Sequence, residues 1–212
     1  MVTIFYTQVQ KRLSTDQFHI YLQLLPADLQ SRARRYLRWE DAHAFLFGKL
    51  LLIKGLEYFG LNGKVLIHQL QYTAHERPYL SEKIDFNISH SEGLVACAIS
   101  DECRVGLDVE RVRSIQLSGF RWQMTAEEWT AVINAQDSQT AFLQYWTKKE
   151  AAIKAHGRGM SLELKEIVIE ADHLMMEGQV WALYRVELVS GYVSHLVTNK
   201  EVNGLKVSRM ML

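Results

Sequence analysis

The chain's 212 residues, 48% hydrophobic and 23% charged, suffice for one large or two small domains whose cores need no disulfide or structural metal. Its 24 Lys and Arg balance 24 Asp and Glu, and zero net charge argues against nucleic acid as a bulk electrostatic partner. Cys97 and Cys103 lack the second pair a zinc site needs and read as reduced thiols. The start of the chain has no basic n-region or long apolar h-region, and the richest apolar run, "FLFGKLLLI" at 45–53, is too short to cross a bilayer. A cytoplasmic protein with no membrane or nucleic-acid partner is therefore expected.

Residues 2–9 alternate as a first strand. From about Pro26 to Tyr36 the pattern suits a basic surface helix, and "RARRYLR", 32–38, reads as a solvated face. Residues 40–59 carry apolar side chains at helical spacing and end at Gly60. "FNISHSEGLVACAIS", 86–100, reads as two short strands around Ser91-Glu92-Gly93, with "CRVGLDVERV" as the next strand. A long helix over 139–156 stops at Gly157, and strands follow near 165–170, 180–189 and 192–198. A long helix followed by antiparallel strands thus occurs twice, without a residue-level repeat.

Two of these stretches carry chemistry. In "GLDVERVR", 106–113, Leu107 and Val109 share a face with Val105, while Asp108 and Glu110 share the other. Such neighbours lie roughly 6.6 Å apart at Cα, and two carboxylates that close repel unless a positive group stands between them. In "YWTKKEAAIKAHGRG", 145–159, helical spacing places Glu150 on one stripe with Phe142, Trp146, Ile153 and Gly157. A carboxylate among core-facing residues is costly unless paired, protonated or metal-bound. A plain surface pair with Lys154, four residues on, accounts for Glu150 taken alone.

Together, Asp108, Glu110 and Glu150 offer oxygen ligands without a His or Cys partner motif, which suits Mg²⁺, or Mn²⁺ in its place. Mg²⁺ takes one or two carboxylates and fills its sphere with water and phosphate oxygens, so a phosphate-bearing substrate is expected, with Lys154 and Lys149 balancing its charge. His90 reads either as a solvated histidine or as a donor to phosphate. With no G-x-S-x-G elbow, its serine neighbours do not suggest a hydrolase triad. Gly157-Arg158-Gly159 reads as a helix C-cap that could also present N–H groups to phosphate.

The order of these stretches resembles the 4′-phosphopantetheinyl transferases. "GLDVE" followed by "WTKKEAAIKAHGRGM" is similar to that family's paired signature, "RPYL" and "FNISHSEG" to its upstream motifs, and "RRYLRWEDAHAFLFGKLLL" to its N-terminal region. The likeness spans roughly residues 30–165, and the length fits the pseudo-dimeric class typified by the enzyme that activates surfactin synthetase. The resemblance implies transfer of 4′-phosphopantetheine from coenzyme A to a serine of an apo acyl or peptidyl carrier protein, releasing adenosine 3′,5′-bisphosphate. It implies an α+β fold of two similar subdomains related by a pseudo-two-fold, each a long helix packed on a small, mainly antiparallel sheet, with the active site in the cleft between them. Residues 1–104 would form the nucleotide side and 105–212 the metal and catalytic side, in a monomer.

Carried over position by position, the resemblance makes Asp108, Glu110 and Glu150 the metal carboxylates and sets Lys154 on the coenzyme A phosphates. It places Ser89 and His90 on the 3′-phosphate side and Arg77 and Pro78 along the adenine. Glu128 falls where relatives carry an acid near the metal, with Glu127 competing. Glu150, or a metal-bound water beside it, is the expected base, and Asp108 and Lys154 complete the catalytic set. The sequence departs from the pattern at Ala44, where relatives often carry an arginine for the 3′-phosphate; Lys49 or a residue of the Arg32–Arg38 cluster is its expected substitute. The competing readings are a Mg²⁺-dependent nuclease or phosphohydrolase, disfavoured because Glu150 and Lys154 are four apart on a helix, and a non-catalytic binder of coenzyme A or carrier protein.

Overall fold

The computed structural model describes residues 1–80 and 83–212, the side chain of Met160 excepted. In chain order its strands and helices are β1 (Val2–Gln8), α1 (Thr15–Leu22), α2 (Ala27–Arg34), α3 (Trp39–Tyr58), α4 (Gly63–Leu66), β2 (Gln71–Tyr72), β3 (Pro78–Tyr79), β4 (Asp85–Ser91), β5 (Leu94–Ser100), β6 (Val105–Arg111), α5 (Ala126–Ile133), α6 (Ser138–His156), β7 (Val168–Glu170), β8 (His173–Met176), β9 (Gln179–Arg185), β10 (Tyr192–Thr198) and β11 (Leu205–Arg209). The fold is α+β. One sheet has the order β11-β1-β5-β4, another β6-β10-β9-β8-β7, and β2 and β3 form a separate pair.

Alternation along the strands builds the layers. On β5, Val95, Cys97 and Ile99 face a core shared with Leu46, Leu50 and Ile53 of α3, while Leu94, Ala96 and Ala98 face the second sheet. There they meet Val105, Leu107 and Val109 of β6 and Leu196 of β10. The opposite face of the second sheet supports α6, whose Ala151, Ala152, Ile153 and Ala155 pack with Leu174, Trp181, Leu183 and Val197. The order is helix, sheet, sheet, helix, with each fully buried aliphatic side chain contributing roughly 1.5–3 kcal/mol.

The chain makes a strand, a long helix and a hairpin in each half. β1 and β5 are antiparallel, as are β5 and β4; β6 and β10 repeat this arrangement, followed by β10 and β9. Among the elements absent from the sequence-based reading are α1, β8 and β11, together with the short α4, β2, β3 and α5. α1 begins with a capping box between Ser14 and Gln17, and β8 adds a strand to the second sheet. β11 returns to pair in parallel with β1, so the end of the 105–212 unit belongs to the first sheet.

Two glycines set how closely α6 approaches the strand beneath it. A Cβ on Gly106 would collide with backbone atoms of Ala151 and Ala155, so the helix lies directly on β6 at that residue. Gly157 ends α6 in a left-handed conformation, φ 86°, which glycine adopts without strain.

Candidate active site

β4 and β6 are the facing edges of the two sheets, and side chains join them. Asp85 accepts from the N–H of Val105 at 2.7 Å, Asn87 from Leu107 at 2.9 Å, Ser89 from Val109 at 3.2 Å and Ser91 from Arg111 at 3.1 Å. Every second residue of β4 thus supplies an acceptor to every second residue of β6. The seam satisfies N–H groups that would otherwise be orphaned at a buried edge.

The seam brings Asp108 and Glu110 to the surface that α6 covers. Lys154, on the last turns of α6, donates to Asp108 Oδ1 at 2.5 Å and to Ser89 Oγ at 3.2 Å. It is the positive group that the two carboxylates require. Asp108, Glu110, Glu150 and Lys154 line one hollow of about 290 Å³ together with Ser89, His90, Ile88 and Trp146. Asp108 is 4% exposed. Burial raises the Glu150 carboxyl above the usual carboxylate range; Lys154 opposes that shift, and Asp108 and Glu110 add to it. Burial raises Glu110 likewise, with the Ser91 hydroxyl opposing.

Asp108 Oδ2 is buried and has no hydrogen-bond partner among the described residues. Among the described residues no three acidic, imidazole or thiol groups stand together as a complete metal cage. An unpartnered carboxylate oxygen, with two further carboxylates bordering the same hollow, nevertheless fits a cation that needs only one or two protein carboxylates.

A larger hollow, about 660 Å³, is lined by Arg32, Tyr36, Ala44, Phe45, Lys49, Tyr72, Pro78 and His90. It shares Ile88 and His90 with the carboxylate hollow, so the two adjoin. Arg32 and Lys49 both stand over the Phe45 ring, 5.3 and 5.4 Å from its centroid. Lys49 is 7% exposed, and its burial lowers the ammonium to about 8. Both cations border the hollow that also contains Ala44.

Five residues stand elsewhere than expected. Lys149 is turned away from the carboxylates: it is buried and donates to Glu128 at 2.6 Å and to the Leu164 carbonyl. Glu128 is held by that lysine and by its capping box with Thr125, away from the hollow, and Glu127 is exposed. The Arg77 guanidinium, expected along the adenine, is 8% exposed and makes a two-pronged pair with Asp85 at 2.9 and 2.7 Å. It also donates to the carbonyls of Lys154 and Val105, tying the end of α6 to the start of β6. Ser89, expected toward the 3′-phosphate, points to Asp108 and Lys154 on the opposite side of β4 from the Phe86 and Ile88 side chains. Sequence reasoning gave no role to Asp85, Asn87 or Ser91; their signal was the run of small polar residues at every second position of "DFNISHS".

Two family models match the chain in succession. Residues 12–102 match the N-terminal part of a 4′-phosphopantetheinyl transferase and residues 104–176 match the 4′-phosphopantetheinyl transferase superfamily. The 4′-phosphopantetheinyl transferase gsp of Aneurinibacillus migulanus is 28% identical over 99% of this chain and 94% of its own length. The 4′-phosphopantetheinyl transferase Sfp of Bacillus subtilis is 27% identical over 81% and 76%, and the 4′-phosphopantetheinyl transferase HetI of Nostoc is 32% identical over 74% and 71%. The two matched segments meet at the loop between β5 and β6, and both the seam and the carboxylate–lysine hollow draw residues from each segment. This chain belongs to the 4′-phosphopantetheinyl transferase superfamily, in its Sfp-type class.

Proposed function

We propose that this chain transfers 4′-phosphopantetheine from coenzyme A to a serine hydroxyl of an apo acyl or peptidyl carrier protein. The observation that carries the reading is the convergence of Asp108, Glu110, Glu150 and Lys154 in one hollow that adjoins a larger one bordered by Arg32 and Lys49. The larger hollow takes the nucleotide, with Pro78 and Tyr72 offering flat apolar surface to the base. Arg32, Lys49 and His90 meet the 3′-phosphate in place of the arginine that Ala44 replaces. The pyrophosphate then reaches the smaller hollow.

There the carrier serine oxygen forms a bond to the phosphorus that bears the pantetheine arm. The bond from that phosphorus to the bridging oxygen breaks, and adenosine 3′,5′-bisphosphate leaves with the electron pair. Glu150 takes the serine proton, since it lines the same hollow as Asp108 and Lys154 and so stands beside the reacting phosphate. Lys154 neutralises charge on the phosphate oxygens as the bond to the leaving group lengthens. Asp108, Glu110 and Glu150 would hold Mg²⁺ or Mn²⁺, which supplies Lewis-acid neutralisation of the pyrophosphate when bound.

The shared strand–helix–hairpin order supports two subdomains related by a pseudo-two-fold, with the site in the cleft along the β4–β6 seam. One chain then provides both walls, which supports a monomer, and a cytoplasmic location is part of the same proposal. Among the described residues no helix is long and apolar enough to cross a membrane. The test is to incubate the protein with coenzyme A, Mg²⁺ and a panel of apo carriers and to weigh each carrier. Addition of one phosphopantetheinyl group to at least one carrier is expected; a panel left entirely unmodified would defeat the reading.

A further inference from the structure

Ser89 and Ser91 repeat one hydrogen-bond arrangement two residues apart. The N–H of Val109 donates to Ser89 Oγ at 3.2 Å, and Ser89 donates to the carboxylate of Asp108, the residue before Val109, at 3.0 Å. The N–H of Arg111 donates to Ser91 Oγ at 3.1 Å, and Ser91 donates to the carboxylate of Glu110, the residue before Arg111, at 2.8 Å. Each hydroxyl bridges a backbone N–H of β6 to the side chain one position earlier on the same strand.

A hydroxyl has one proton and two acceptor lone pairs. A backbone N–H can only donate, so it occupies a lone pair and leaves the hydroxyl proton free for another acceptor. For Ser89, Lys154 Nζ occupies the second lone pair at 3.2 Å. The proton of Ser89 is thereby committed to Asp108. The fold fixes the direction of each serine's bond as well as its position. Ser89 and Ser91 are 4% and 8% exposed, so water does not compete freely for these bonds.

Asn87 supplies the contrast. It accepts from the N–H of Leu107 in the same seam at 2.9 Å, yet the β6 residue before Leu107 is Gly106, which has no side chain to orient. The seam can therefore be made without orienting an acid, and two of its members do both.

We propose that Ser89 and Ser91 are positioning residues for the metal-binding carboxylates: they hold Asp108 and Glu110 in fixed rotamers, each with one oxygen engaged by the hydroxyl and the other left to face a divalent cation. This rests on the transferase reading only in giving those carboxylates a cation to bind. On its own it predicts that cation affinity depends on the two hydroxyl protons, before coenzyme A or a carrier is present.

The test is Mn²⁺ binding to the full-length protein, followed by the electron paramagnetic resonance signal of free Mn²⁺ without coenzyme A or carrier, beside thermal melts. Ser89→Ala and Ser91→Ala should each weaken Mn²⁺ binding by roughly 10–100-fold, the usual effect of removing a group that orients a ligand. Ser91→Thr keeps the hydroxyl and should bind close to wild type. Ser91→Cys, a milder change with a weak donor, should fall with the alanine variant, and it keeps the test open should Ser91→Ala not fold. Asn87→Ala should melt lower and bind Mn²⁺ as wild type does.

Unchanged Mn²⁺ affinity in the Ser89 and Ser91 variants overturns the proposal. So does an Asn87→Ala variant as weakened as they are, because seam integrity would then be the cause. A wild-type protein that transfers phosphopantetheine without taking up Mn²⁺ overturns both the proposal and the metal assignment. The predicted affinity series in a protein that modifies no carrier upholds the proposal and defeats only the transferase reading.

Discussion

Lys154→Ala separates catalysis from packing most sharply. In the hollow three carboxylates face one ammonium; removing Lys154 leaves three negative groups with no cation. Asp108, 4% exposed and with Oδ2 already unpartnered, would also lose its 2.5 Å contact at Oδ1, keeping only Ser89. Breaking a fully buried pair by removing one partner costs about 3–5 kcal/mol. The Lys154 side chain is 28% exposed, so water recovers part of this, and a cost of about 2–4 kcal/mol is expected without metal. At this chain length that lowers Tm by roughly 5–15 °C.

Asp108→Ala should cost less, because it leaves two carboxylates against one ammonium. Mg²⁺ should restore more stability to Lys154→Ala than to wild type. The kinetic effect is separate: loss of charge neutralisation in the transition state should reduce kcat by about 10²–10³-fold. Lys154→Arg should recover little, since a planar fork does not replace a compact ammonium. The assay is steady-state transfer at saturating coenzyme A, with melting curves with and without Mg²⁺. Near-normal kcat in a destabilised Lys154→Ala would refute the catalytic role and leave Lys154 a structural counter-ion of Asp108.

Other consequences follow from single contacts. Gly106→Ala forces α6 off β6 against backbone rather than against a flexible side chain, so a loss at or above the upper end of about 1–3 kcal/mol and a sharp fall in transfer are expected in denaturant titrations and turnover assays. Lys49 has its ammonium lowered to about 8 by burial, with Arg32 adding to the shift and Cys97 opposing it, so below pH 8 its charge is carried at a cost of up to about 3 kcal/mol. That cost shrinks as pH rises from 8 toward 10.5, the value for an unburied lysine. Lys49→Met should accordingly raise Tm at neutral pH while raising the KM for coenzyme A, and a lower Tm would contradict the burial argument. His195, 3% exposed and bonded to Thr147 at 2.8 Å, has its imidazole lowered to about 3 by burial, with Lys148 and Arg185 adding to the shift. The unfolded chain binds this proton first, so stability present above pH 6.5 is lost as pH falls toward 3, by up to about 1.4 kcal/mol per pH unit. His195→Asn should flatten that part of the stability–pH curve.

What the sequence made legible follows side-chain periodicity. The alternation of Val105, Leu107 and Val109 against Asp108 and Glu110 gave the strand and both of its faces, and the stripe through Phe142, Trp146 and Ile153 set Glu150 on the turn above β6. Lys149 was misread although helix phase bore on it: one residue from Glu150 is about 100° around the helix, and that side carries Glu128. The contacts of Arg77 with Asp85 and of Ser89 with Asp108 and Lys154 were not legible, because a motif resemblance transfers positions, not side-chain directions. The seam escaped notice because its partner is the edge of another sheet, which strand alternation does not reveal; Asn87, Ser89 and Ser91 are all under 9% exposed and accept from β6. β11 pairs across nearly the whole chain length, and local pattern says nothing about such a partner.

The central claim is that the carboxylate–lysine hollow transfers phosphopantetheine rather than hydrolysing a phosphate ester. The most direct measurement follows adenosine 3′,5′-bisphosphate release and carrier mass in one reaction of wild-type protein, coenzyme A, an apo carrier and Mg²⁺, with a chelated control. One bisphosphate released for each carrier serine modified, with both abolished by chelation and by Glu150→Gln, is the predicted result. Bisphosphate released without carrier modification, or transfer undiminished in Glu150→Gln, would contradict it.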